Sequence, residues 1–178
     1  MSARAFDGLK VIDASQGLAG PGAGELLAQH GASVIKVEPP EGDWARRRGK
    51  AAGGLSTLSI ASNMGKRSIA LDLKQDGGAA VLHRLLDKAD VFIESLRPGV
   101  MERLGFGYAA VSRNRPGLIY ASISGFGQQG PLRERPALDS VMQAYSGMMS
   151  VNTGEVDKLP HRIGLFPVDV VTGLYAFQ

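Results

Sequence analysis

Asp169 stands in the apolar run Leu165-Phe166-Pro167-Val168-Asp169-Val170-Val171, which leads into Thr172-Gly173. A carboxylate set among apolar neighbours and still ionised can act as a nucleophile. Proline inside a helix loses a hydrogen bond, so the pattern predicts a helix beginning after Pro167, with Asp169 at its N-cap or in its first turn. Free N–H groups and the positive end of the helix dipole favour the ionised carboxylate there. The same placement fits a plain N-capping aspartate, and the local sequence leaves both readings open. A second group is Gly42-Asp43-Trp44-Ala45-Arg46-Arg47-Arg48, three guanidiniums beside an indole. Arginine suits phosphate and tryptophan can stack on a purine; a solvated surface loop is the alternative. A third is the glycine-rich loop Ser122-Ile123-Ser124-Gly125-Phe126-Gly127-Gln128-Gln129-Gly130-Pro131. Its backbone N–H groups can help hold the oxyanion of a tetrahedral intermediate. His30, His83 and His161 show no histidine–carboxylate spacing that suggests a metal, and read as surface or packing residues.

Alternating strands and helices must position these groups. Leu9–Asp13 and Ser33–Glu38 read as strands, with a glycine-rich turn over Gly17–Gly24 and a helix over Glu25–His30 between them. Pro21 suits a helix's first turn. Glu41–Ser59 reads as a long surface excursion. Arg67–Leu73 is a strand, Asp76–Lys88 a helix with Val81, Leu82, Leu85 and Leu86 on one face, and Val91–Glu94 a strand. A turn at Pro98-Gly99 leads to a short helix ending at Leu104. Leu118–Ser124 is a further strand, and Pro136–Met149 a helix, with Asp139 capping it near Ser140. This alternation predicts an open, largely parallel, Rossmann-like α/β sheet flanked by helices. The first glycine turn fails the dinucleotide fingerprint, because Glu25 occupies the third glycine position after Gly20 and Gly22. Glu38 nevertheless ends the second strand, where a ribose-binding acid would sit.

The 178 residues suffice for one domain with a real core, and 44% hydrophobic with 21% charged residues is the composition of a soluble globular protein. A net charge of +3 suits an anionic ligand and is too small to argue for nucleic acid. There is no cysteine, which excludes disulfides, thiolate metal sites and cysteine nucleophiles and fits a reducing cytosol. No signal peptide and no membrane-length apolar run appears, so a cytoplasmic protein without a membrane partner is expected.

Several blocks together resemble the family III CoA-transferases. Ala19-Gly20-Pro21 with Gly31-Ala32-Ser33-Val34-Ile35-Lys36-Val37-Glu38, Lys66-Arg67-Ser68-Ile69-Ala70-Leu71-Asp72-Leu73-Lys74, Ala89-Asp90-Val91-Phe92-Ile93-Glu94-Ser95-Leu96-Arg97-Pro98-Gly99, the Ser122–Pro131 loop and the Asp169 segment all match. The resemblance implies Asp169 as nucleophile, forming an aspartyl anhydride and then an aspartyl-CoA thioester. It implies CoA contacts from Leu18 and Ala19 through backbone groups, from one of Arg46–Arg48, taken as Arg47, and from Leu71, Asp72, Leu73 and Lys74 around adenine. Ser95, Leu96, Arg97, Arg103, Ser124, Gly125, Phe126 and Gly127 complete the implied set.

Three positions depart from relatives or rivals. Leu18 stands where formyl-CoA members carry glutamine, and Ser95 where asparagine is usual. Leu138 stands where acyl-CoA racemases of the superfamily carry a histidine base, which argues against a racemase. The resemblance implies acyl-CoA and a carboxylic acid as substrates and no prosthetic group. It further implies that residues 1–178 form the N-terminal CoA-binding domain of a longer, interlocked homodimer whose second domain is absent here. The alternatives are a racemase or epimerase, or a catalytically silent CoA-binding fragment.

Overall fold

The computed structural model describes residues 3–178. Strands β1 (Lys10–Asp13) and β2 (Ser33–Glu38) are joined by helix α1 (Ala19–Gln29). A 3-10 turn (Trp44–Arg47), a small hairpin of β3 (Ala51–Ala52) and β4 (Leu55–Ser56), and α2 (Thr57–Ala61) follow. Then come β5 (Arg67–Ala70), α3 (Asp76–Leu86), β6 (Val91–Glu94), α4 (Val100–Arg103), α5 (Tyr108–Val111) and β7 (Ile119–Ser122). The chain continues through α6 (Asp139–Tyr145), α7 (Met148–Val151) and α8 (Pro167–Phe177). The main sheet is five-stranded, of order β5-β2-β1-β6-β7, with every pairing parallel.

Successive strand side chains face opposite ways, and here both faces are covered, so the inner strands are apolar on both sides. Val11, Val91 and Ile93 pack with Ala23 and Leu27 of α1. Ile12 and Phe92 pack on the other face with Leu82 and Leu86 of α3 and with Met101 and Phe106. No helix among the described residues is long and apolar enough to cross a membrane.

The structure corrects several boundaries. The glycine-rich stretch is not a separate turn: α1 begins at Ala19 and runs through it. The glycines serve close approach instead. A Cβ on Gly20 would strike Ser15, and one on Gly24 would lie 2.9 Å from Asp13 Oδ2. The excursion after β2 is folded, with Asp43, Ala45 and Ser56 buried. β5 stops at Ala70, leaving Leu71–Lys74 as a turn at its carboxyl end. The expected helix over Pro136–Met149 is split into α6 and α7 at Gly147, whose φ of 80° is a left-handed conformation that ends α6. Pro167 does not precede α8 but occupies its first turn, where its missing N–H costs nothing.

Helix α8 lies against α1, and Gly173 makes that contact possible. A Cβ there would stand 2.8 Å from the carbonyl oxygen of Ala19. Gly173→Ala is therefore expected to cost about 1–3 kcal/mol by overpacking two backbones. Urea unfolding measures this; an unchanged midpoint would show that the helices separate freely.

Candidate active site

The strand order reverses direction between β1 and β6, and α/β sheets place ligands in the crevice outside the carboxyl ends of strands at such a point. Here the two chain segments leaving those strands are joined: the Gln16 N–H donates to Ser95 Oγ at 2.9 Å.

Two cavities open from this crevice. One, of about 270 Å³, is lined by Leu71, Asp72, Leu73, Lys74 and Leu96, with Glu38 to Glu41 on its far wall. Arg47 is exposed and donates to the Glu41 carbonyl at 3.2 Å, beside this groove. Arg97 and Arg103 are exposed nearby; Arg103 sits on α4, whose Met101 lines the groove together with Leu104 just beyond the helix. The other cavity, of about 360 Å³, holds Asp169, Thr172, Asp139, Leu18, Ala19, Ser95, Ser124 and Gly125. Phe126 turns away to pack edge-on against Tyr145 at 5.1 Å, and Gly127 follows it with a φ of 80°. Gln16 lines both cavities and is where they meet. Sequence reasoning missed Gln16; its position just beyond the end of β1 at the reversal is the signal that points to it.

Asp169 lies in the first turn of α8, as expected, but the end of that helix is not free to solvate it. Asp139 takes the amides: Val168 N–H donates to Asp139 Oδ2 at 2.8 Å and Asp169 N–H at 3.0 Å. Asp139 thus caps α8, 30 residues on, rather than its own helix. The buried Gln143 holds it there, donating to Asp139 Oδ1 while its Oε1 accepts from Ile163 N–H at 2.8 Å. The Asp169 carboxylate itself accepts no hydrogen bond from the described residues. Burial first, and the Asp139 charge second, push its pKa up to about 6. The expectation that the helix end favours the ionised form is therefore revised. This carboxylate is ionised at neutral pH yet poorly solvated, the state that makes a nucleophile reactive.

A buried ion pair borders the crevice. Lys36 Nζ donates to Asp43 Oδ2 at 2.8 Å and to the Ser15 carbonyl at 2.7 Å, and Gly17 N–H donates to Asp43 at 3.1 Å. That clamp seats Trp44 against Gly17, so the indole borders Asp169 and does not line the groove of Leu71–Lys74. The three arginines divide. Arg46 is held in a bidentate pair with Glu38, both bonds at 2.6 Å. Arg47 lies by the groove, and Arg48 lines a side chamber next to Asp169. Glu38 has no capacity left for a ribose. Burial would raise its pKa, but hydrogen bonds from Arg46, the Asp43 amide and Ser68 outweigh burial and pull it down to about 2.

The chain as a whole is similar to known proteins. A sequence profile of CoA-transferase family III matches residues 6–178. The chain belongs to CoA-transferase family III. A relative named acetyl-CoA:oxalate CoA-transferase, from Acetobacter aceti, is 46% identical over 174 residues, covering 97% of this chain and 44% of the relative. A succinate–glutarate CoA-transferase of Agrobacterium fabrum is 41% identical over 179 residues, covering 96% and 44%. The crystal structure of a CaiB/BaiF family protein from Brucella suis superposes with a TM-score of 0.93 at 40% identity, covering 99% of this chain and 48% of that one. The chain thus spans less than half the length of these family members.

Proposed function

We propose that this chain carries the CoA-binding part and the nucleophile of a CoA-transferase that moves CoA from an acyl-CoA to a free carboxylic acid. The observation that carries this reading is Asp169, a carboxylate without a hydrogen-bond donor among the described residues, in a cavity that meets the Leu71–Lys74 groove at Gln16. A ligand with a nucleotide at one end and a thioester at the other suits that path.

In this reading an Asp169 oxygen attacks the donor thioester carbonyl, the C–S bond breaks, and CoA leaves as a thiolate with a mixed anhydride on Asp169. The thiolate then attacks the aspartyl carbonyl, forming an aspartyl-CoA thioester and releasing the donor acid. The acceptor carboxylate attacks in turn, expelling the thiolate and leaving a second anhydride. Thiolate attack on its acyl carbonyl yields the new acyl-CoA and frees Asp169. N–H groups of the Ser124–Gly127 loop would stabilise the oxyanions, and the groove would keep CoA bound between steps. The same reading includes a cytoplasmic homodimer. Val170, Val171, Leu174 and Tyr175 of α8 are exposed, and a further segment or subunit covering them fits that assembly.

Incubation with an acyl-CoA and an isotope-labelled free acid tests the reaction. The expected result is label in acyl-CoA without net hydrolysis. Epimerisation at the acyl α-carbon with no label transfer would instead indicate a racemase.

A further inference from the structure

Resting on the transferase reading, we infer that Gln143 is a positioning residue for the nucleophile. Its carboxamide fixes Asp139 as the carboxylate that holds the first turn of α8, and through that turn it sets the place of Asp169. Gln143 is 0% exposed and lines neither cavity of the crevice, so it acts only through its neighbours.

The Gln143 amide can lie only one way round. Ile163 N–H donates to Oε1 at 2.8 Å, so Nε2 is turned to Asp139 Oδ1 and, at 3.5 Å, to the Leu165 carbonyl. The reverse orientation would set Nε2 against the Ile163 N–H and Oε1 against the carboxylate, two repulsive contacts at a buried site. Asp139 is buried as well, and each of its oxygens faces a donor: Gln143 on Oδ1, the Val168 and Asp169 amides on Oδ2. A carboxylate satisfies all three donors; an asparagine there would have to aim its own NH2 at one of them. Among the described residues, no side chain other than Gln143 and Asp139 hydrogen-bonds the backbone of residues 163–169. Leu165 and Phe166 in that stretch are exposed, so packing does little to fix it. The pair therefore decides where the nucleophile stands, and a displacement of about 1 Å at a reacting group can cost about 100-fold in rate.

The polarity of this bridge supplies the test. Gln143→Glu sets two carboxylates face to face, and Asp139→Asn sets two NH2 groups face to face. Together they match again: the new amide keeps its oxygen on the α8 amides and gives its NH2 to the new carboxylate, which still accepts from Ile163 N–H. Label transfer would be followed with acetyl-CoA and oxalate and with succinyl-CoA and glutarate. Each single variant is expected to lower kcat by about 100-fold with KM changed by less than about 3-fold, and the double variant to regain at least about 10-fold. The double variant also withdraws the charge from the carboxylate bonded to the Asp169 amide. Burial first and Asp139 second hold Asp169 near a pKa of about 6, and the other charged groups in cavities with Asp169, namely Glu25, Arg48 and Arg162, are unchanged. The Asp169 carboxyl, followed by carbon NMR against pH, should then titrate below its wild-type midpoint, a readout that needs no turnover. Thermal unfolding shows which variants are folded. Single variants with wild-type kcat, or a double variant that regains stability but not kcat, overturn the inference. So does a double variant that fails to fold where a single variant folds, because the matched pair should be the more stable. If wild type transfers no label with either pair of substrates while the Asp169 titration moves as stated, the transferase reading fails and the control of Asp169 by Gln143 and Asp139 stands.

Discussion

Asp169→Asn is expected to lower CoA exchange by about 10,000-fold or more, since in the proposed mechanism it removes the nucleophile itself, with CoA affinity changed little. The same substitution should make the protein more stable at neutral pH. Asp169 holds its proton more tightly folded than unfolded, because burial and then Asp139 raise its pKa to about 6 from an ordinary 3.8. The folded state is favoured in full below the unfolded pKa, and that advantage is lost as pH rises through about 6. At pH 7 the wild type therefore bears the whole cost of an ionised carboxylate in a poorly solvated place. Because the group is partly open to solvent, the gain from asparagine is on the order of 1–2 kcal/mol at pH 7 and near zero at pH 4. Exchange by the wild type should rise with pH through the same region as Asp169 ionises. The other carboxyls lining cavities with Asp169 are Asp139 and Glu25, and the cations are Arg48 and Arg162. Paired unfolding and exchange profiles check both halves; a variant that is inactive and also less stable at pH 7 would contradict the description of Asp169 as a poorly solvated anion.

Lys66→Met should cost about 3–5 kcal/mol, because it strips the partner from a carboxylate with no access to water. Asp13 is 0% exposed, and Lys66 Nζ lies 2.7 Å from its Oδ2. The ammonium also reaches the carbonyls of Pro21 and Ser62 at 2.7 and 2.9 Å and Asn63 Oδ1 at 2.9 Å. One side chain thereby ties the end of β1, the first turns of α1 and the end of α2. Burial raises the Asp13 pKa, but the charges of Lys66 and Lys36, with hydrogen bonds from Lys66 and Ser15, outweigh it and hold it below the usual carboxylate value. That stabilisation is present above the unfolded pKa of Asp13 and is lost as pH falls through its lower folded value. Urea unfolding at pH 7 measures the loss. Asp13→Leu combined with Lys66→Met should recover much of it, since the cost lies in the orphaned charge rather than in a missing attraction. A single variant as stable as wild type would show that water reaches Asp13.

What the sequence made legible follows from the range of the interaction that sets each feature. Ser33–Glu38 and Val91–Glu94 are strands with the bounds their apolar runs imply, because short stretches buried on both faces identify themselves locally. The family blocks likewise marked Leu71–Lys74, Leu96, Ser95, Ser124 and Asp169, which converge on two adjoining cavities. The misread features depend on residues far along the chain. Asp139 looks like a cap for the helix it opens, and only the fold delivers the α8 amides to it. The glycines before Glu25 look like a turn, yet they lie within α1, where Ser15 and Asp13 leave no room for a Cβ at Gly20 and Gly24. The run Arg46-Arg47-Arg48 looks uniform; Glu38, Glu41 and the chamber beside Asp169 give each arginine a different place.

The covalent role of Asp169 can be tested by intact-protein mass spectrometry after mixing with an acyl-CoA and then hydroxylamine, for wild type and Asp169→Asn. Hydroxylamine captures an activated aspartyl carbonyl as the hydroxamate. A stoichiometric hydroxamate mapped to Asp169 in the wild type, and none in the variant, is the predicted result. CoA exchange without any such adduct, or the same adduct in the variant, would contradict Asp169 as the covalent nucleophile.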